Sequence, residues 1–130
     1  MTVRSAWYDD GHTLIIREHQ PNWTWAQLHD DDANVLLPIL DSSPRPAALV
    51  VDMTRSAWMP LDDFAEHLLE SARVHEHPRL VVVVFAVPDR EVLALLRNAH
   101  ERYGARGVAY DFAHRFDDAI ASAVAHRDRG

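Results

Sequence analysis

The chain has 130 residues, thirteen basic against twenty acidic side chains for a net charge of −7, and 48% apolar with 25% charged positions. This is the length of one domain and the composition of an ordinary folded one, which excludes disordered, fibrous and disulfide-scaffold classes, and its negative field opposes a generic nucleic-acid or anionic-membrane binder. Cys is absent and every basic residue is Arg, so thiolate nucleophiles, zinc fingers, Schiff bases and P-loop lysines are excluded as well; codon usage in a GC-rich genome explains the missing Lys.

Val3 to Asp9 and His12 to Glu18 are runs rich in β-branched and aromatic residues on either side of Asp10-Gly11, a two-residue hairpin signal that requires positive φ at both positions. Thr24 with Gln27 has capping-box spacing, and Trp25, Leu28, Leu36 and Ile39 follow at helical period, predicting a first helix to about Leu37, where Pro38 kinks or ends it. After the polar loop Asp41 to Pro46, the run Ala47 to Met53 is apolar without alternation, the pattern of a strand covered on both faces. Leu61, Phe64, Leu68 and Ala72 predict a second helix from about Pro60 to Val74. Arg79 to Val87 is a second fully buried strand, with Val50, Val82 and Val84 expected at the centre of the sheet. Asp89 and Glu91 open a third helix with the stripe Val92, Leu96, Ala99 and Tyr103 and a stop at Gly104. Gly107 to Phe112 is a weaker strand, and Phe116, Ile120 and Val124 make a last helix to about His126.

The order is ββαβαβαβα in a single α/β domain, residues 1–130, with a mostly parallel sheet and the antiparallel hairpin at one side. The start from Met1 to Trp7 lacks the apolar core of a signal peptide and no apolar run approaches membrane-spanning length, so a soluble cytoplasmic protein is expected.

This order resembles that of the STAS domains, the fold of bacterial anti-sigma factor antagonists and of the cytosolic ends of sulfate transporters. The leading hairpin, the strand Leu49 to Thr54 and the loop Arg55-Ser56-Ala57-Trp58-Met59-Pro60 entering the second helix carry the resemblance, over nearly the whole chain. Sec14-type lipid-carrying domains have a related arrangement. Signalling STAS proteins place an Asp-Ser-Ser-Gly-like phosphoacceptor tetrad at the start of the second helix; this chain has Met59-Pro60-Leu61-Asp62, with no hydroxyl. The resemblance therefore implies the fold and a non-enzymatic regulatory module acting through protein or small-ligand contacts, with a homodimer as one form, but no phosphoswitch. Ser56 and Thr54 are hydroxyls of the same loop, whose ordinary role is to bond nearby backbone. A receiver domain phosphorylated at Asp52 would need a late-strand lysine, which the chain lacks.

Nine histidines scatter along the chain, and their full protonation carries the net charge from −7 to +2. The closest pair, His75 and His77, lies at the end of the second helix, where imidazolium meets the negative helix end; without a third ligand no metal and no cofactor is expected. No serine sits in a nucleophile elbow, and the four glycines are too few for a phosphate cradle. The candidate binding residues are Arg55, Ser56, Trp58 and Met59 in the loop at the ligand-bearing edge of the sheet, with Trp23 beside them. The alternative is a small enzyme using Asp, His and Arg, such as Asp52 with His114; convergence of such groups in a deep cavity separates it from a binding module with an apolar surface at Trp58. Asp30-Asp31-Asp32 reads as a solvated acidic face, except that Asp32 projects into the apolar stripe, so either the helix deviates there or Asp32 reaches an arginine.

Overall fold

The apolar strands specify one sheet, and a computed structural model of residues 3–56 and 59–129 contains it. Strands β1 (Val3–Trp7), β2 (Leu14–His19), β3 (Ala47–Asp52), β4 (Leu80–Ala86) and β5 (Ala109–Ala113) lie in the order β1-β2-β3-β4-β5. The β1/β2 pair is antiparallel, from Val3 opposite His19 to Trp7 opposite Ile15, and every other pair is parallel. Val50, Val82 and Val84 are fully buried, as the unalternating runs predict.

Each parallel strand is added on the far side of the last, and crossovers of one hand then fall on one face. Helices α1 (Trp25–Asp31), α2 (Leu37–Ser42), α3 (Phe64–His75) and α4 (Arg90–Tyr103) pack there against Ile15, Leu49, Val51, Val83 and Phe85. The opposite face of Leu14, Ile16, Ala48, Val50, Val82 and Val84 is covered by α5 (Phe116–Arg129) through Ala119 and Ala123. No helix among the described residues is long and apolar enough to cross a membrane.

Three local expectations are corrected. The hairpin turn spans residues 8–13 and positive φ falls on His12, at 54°, rather than on Asp10 and Gly11. The Asp9 carboxylate closes this longer loop by accepting the Thr13 and Leu14 N–H groups, each at 2.9 Å, which an Asp-Gly two-residue turn does not need. The first helix does not stop at Pro38. A π-helical turn, Asp32–Leu36, follows α1, and Leu37 N–H bonds the Asp32 carbonyl, so Pro38 lands in the first turn of α2, where a missing N–H is harmless. The second helix begins at Phe64 rather than Pro60, because the Pro60 carbonyl accepts Trp25 Nε1–H at 3.0 Å and Asp63 adopts φ 53° just before the helix. At the end of α4 Gly104 is required by proximity: a Cβ there would lie 2.4 Å from the His100 carbonyl oxygen and 2.8 Å from the Tyr110 ring.

Candidate functional site

The carboxyl ends of β2, β3 and β4 meet α1, α3 and α4 around a small cavity of about 30 Å³, room for little more than one water. Open parallel sheets place ligands at this edge. Arg17 and His19 reach the cavity because they share the parity of Ile15 on β2 and so face inward, while Glu18 between them is exposed.

Arg17 is buried and made tolerable by two carboxylates. Its Nε donates to Asp31 Oδ2 at 3.1 Å and to Ser5 Oγ at 3.2 Å, and its Nη2 donates to Asp32 Oδ1. Asp31 also accepts the Ser5 backbone N–H at 3.0 Å, so the cluster ties β1, β2 and α1 together. Asp31 and Asp32 are each 4% exposed. Consecutive helical residues point about 100° apart, and the π turn beginning at Asp32 lets both face one guanidinium. Both readings of Asp32 therefore hold, since the helix deviates and the side chain finds an arginine, whereas Asp31 is not on a solvated face. Burial pushes the Asp32 carboxyl above its ordinary range despite the opposing Arg17 charge.

Three buried histidines stand around the same space. His19 lies perpendicular to Trp23, ring centroids 4.5 Å apart, and neither of its nitrogens has a hydrogen-bond partner among the described residues. Burial, helped by the Arg17 charge, lowers its pKa to about 3. His75 Nδ1 is 2.8 Å from the Tyr110 hydroxyl, which also accepts Ala105 N–H at 3.0 Å. Burial, with the His100 and Arg17 charges, holds His75 well below the usual histidine range, and burial pushes Tyr110 up to about 12. His100 donates Nδ1–H to the Leu96 carbonyl at 2.8 Å, which leaves Nε2 an acceptor; burial lowers its pKa too. Among the described residues no carboxylate lines the cavity.

Of the sequence candidates, Trp23, Ser56 and Met59 come together, but inside the protein. Trp23 is 1% exposed and donates Nε1–H to Ser56 Oγ at 2.9 Å, while Met59 lines the cavity beside it. Arg55 is exposed, and Trp58 lies outside the described residues. Thr54 caps the Asp52 carboxylate, and His114 Nδ1 is 3.1 Å from the Val87 carbonyl, so Asp52 and His114 are each engaged elsewhere. His75 and His77 also diverge, with His77 Nε2 2.8 Å from Asp41. Sequence reasoning missed Arg17, His19, His100 and Tyr110; the alternation Ile15, Arg17, His19 on β2 was the available signal for the first two.

A second side-chain cluster lies where α1 crosses α3. His29 Nε2 is 2.8 Å from His67 Nδ1 and 3.3 Å from Glu70 Oε2. Outside the wall formed by Trp23, Trp25 and Met59 runs a groove of about 520 Å³, bordered also by Pro60, Leu61 and His67. Compared with known proteins, the chain matches no family model, no curated protein and no solved structure.

Proposed function

We propose that this chain is a STAS-like, non-enzymatic binding module that takes a small neutral ligand at the carboxyl edge of its sheet, beneath the loop after β3. The observation that carries this reading is His19, a buried imidazole with neither nitrogen hydrogen-bonded among the described residues, set in a largely apolar cavity. With a pKa near 3 the ring is uncharged at neutral pH and offers one donor and one acceptor. Its complement is a hydroxyl, amide or carbonyl on an apolar body rather than an anion. The same pKa makes it too weak a base for efficient proton transfer near neutrality, and a lining without a carboxylate among the described residues also favours binding over acid–base catalysis.

The cavity admits a ligand's polar tip, and the groove holds its body. Met59 borders both spaces, and its unbranched thioether side chain moves at little cost, so rotation of Met59 joins them. Regulation through protein contacts, as the STAS resemblance implies, would use the adjoining loop and its exposed Arg55.

Histidine-¹⁵N-labelled chain titrated with a panel of aliphatic and aromatic alcohols and amides tests the reading. At least one probe is expected to shift the His19 ring resonances saturably and to raise the melting temperature, with both effects lost in His19→Leu. Ring signals that stay unmoved across the panel, or stabilisation that survives in His19→Leu, would overturn it.

A further inference from the structure

We infer that His29, His67 and Glu70 form a binding site for a divalent transition-metal ion, with zinc as its natural probe. The inference is independent of the ligand cavity. It also revises the expectation of a metal-free protein, which rested on His75 and His77, since the histidines that meet are two that the sequence separates by 38 positions.

Three ligand atoms converge here, all within 4.8 Å of one another. His67 and Glu70 stand three residues apart on α3 and therefore share a face; His29 comes from α1. His29 Nε2 confronts two groups at once, the His67 nitrogen at 2.8 Å and the Glu70 carboxylate at 3.3 Å. A neutral imidazole nitrogen has one hydrogen at most, so it cannot serve both. A cation at the centre satisfies all three lone pairs together. Zinc binds imidazole nitrogen and carboxylate oxygen at about 2.0–2.2 Å, which puts tetrahedral donors about 3.4 Å apart. The imidazoles must open by roughly half an ångström to reach that spacing. Glu70 is exposed and can adjust its long side chain to complete the set.

The surroundings also suit a ligand set. The His67 ring stacks on Trp25, centroids 5.0 Å apart and 9° from parallel, which fixes its plane. His29 Nδ1 is buried without a hydrogen-bond partner among the described residues, and Asp32 Oδ2 stands 4.0 Å from it. Metal-bound histidines commonly direct the second N–H to a carboxylate; closing this gap would hold His29 in the tautomer with Nε2 free to coordinate. Two imidazoles and one carboxylate, with no thiolate in the chain, suit zinc and its first-row neighbours rather than soft-metal or all-oxygen sites, and leave a fourth position for water. His67 also borders the outer groove, which gives the ion a route from solvent.

The test is calorimetric titration of zinc chloride into chelator-treated full-length protein, repeated with cobalt(II), whose visible absorption reports coordination number. One ion per chain is expected, with tetrahedral cobalt bands, and affinity falling at least ten-fold in His67→Ala and in Glu70→Gln. His77→Ala, which removes a histidine away from the cluster, should leave affinity unchanged. His29→Ala is more buried and is checked by circular dichroism; if it unfolds, the two α3 variants still decide. Absence of saturable binding, or binding that is indifferent to His67→Ala and Glu70→Gln, means that the cluster is a histidine–histidine hydrogen bond only and overturns the inference.

Discussion

The two faces of the sheet are made by the same strands and are chemically unlike. Under α5 the buried contact surface is Leu14, Ile16, Ala48, Val50, Val82, Val84 and Ala86 against Ala119 and Ala123, all aliphatic, with Phe116 packed against it and a Ser122–Asp111 hydrogen bond at its β5 margin. Under α1, α3 and α4 the core also holds Arg17, His19, His75, His100, Asp31 and Asp32. Small residues let α5 lie close and complete this face mainly by hydrophobic burial, with its polar contacts, Ser122 to Asp111 and Arg127 to Thr13, only half-buried. The other face buries polar groups at a cost in desolvation, which separates a face that holds the fold from one arranged around a site.

The sharpest way to break this contrast is Arg17→Ala, which leaves Asp31 and Asp32 buried without a counter-charge. A loss of about 3–5 kcal/mol is expected, read by urea denaturation. A loss below 1 kcal/mol would mean that the cluster is solvated and that the two faces differ less than their composition indicates. Ala123→Leu probes the opposite side by overfilling the aliphatic layer. It should lower stability by about 1–3 kcal/mol and leave the His19 ring resonances where they were. Movement of those resonances would show the faces to be coupled through the strands.

The mildest change sharpens the comparison. His19→Leu replaces an unpartnered polar ring by hydrocarbon and should raise stability at pH 7 by about 1 kcal/mol in thermal or chemical unfolding. The pH dependence has a definite sign. His19, His75 and His100 all have folded pKa values below 6.5, that of His19 about 3. As pH falls through 6.5 the unfolded chain takes up protons on these rings and the folded chain does not. Their contribution is therefore complete above pH 6.5 and lost progressively below it, by up to about 1.4 kcal/mol per pH unit for each ring, down to about pH 3 for His19. His19→Leu should flatten that slope by one ring's share, and an unchanged slope would show that His19 titrates normally.

The fold was legible because its determinants are local. Unbroken apolar runs mark β3 and β4, Thr24 and Asp89 are capping residues where helices begin, and Gly104 marks the end of α4. The site was legible only in position. The loop after β3 is the right edge of the sheet, yet Ser56 and Met59 there are buried, because Trp23 reaches across 33 residues to bond Ser56. Arg17 and His19 alternate with Glu18 as on any half-exposed strand, and it is the coverage by α1 and α3 that turns their face inward. His29 and His67 meet only because the crossovers set α1 beside α3, a relation with no signature in either segment.

The π turn at Asp32–Leu36 can also be viewed as an insertion. It adds the equivalent of one residue to a helical path without lengthening any loop, so the inward positions run Trp25, Leu28, Asp31, Asp32, Leu36 and Leu40. Deleting one residue within the turn would restore an ordinary α-helix and rotate all that follows by about 100°. Leu36 and Leu40 would then leave the core, or Trp25 and Leu28 would. A relative lacking that residue would need a different apolar phase on one side of the gap, and it would have only one carboxylate to offer an arginine at position 17. Such a single-residue gap in mid-helix, accompanied by a smaller side chain on β2, is how the history of this buried ion cluster would be written in an alignment.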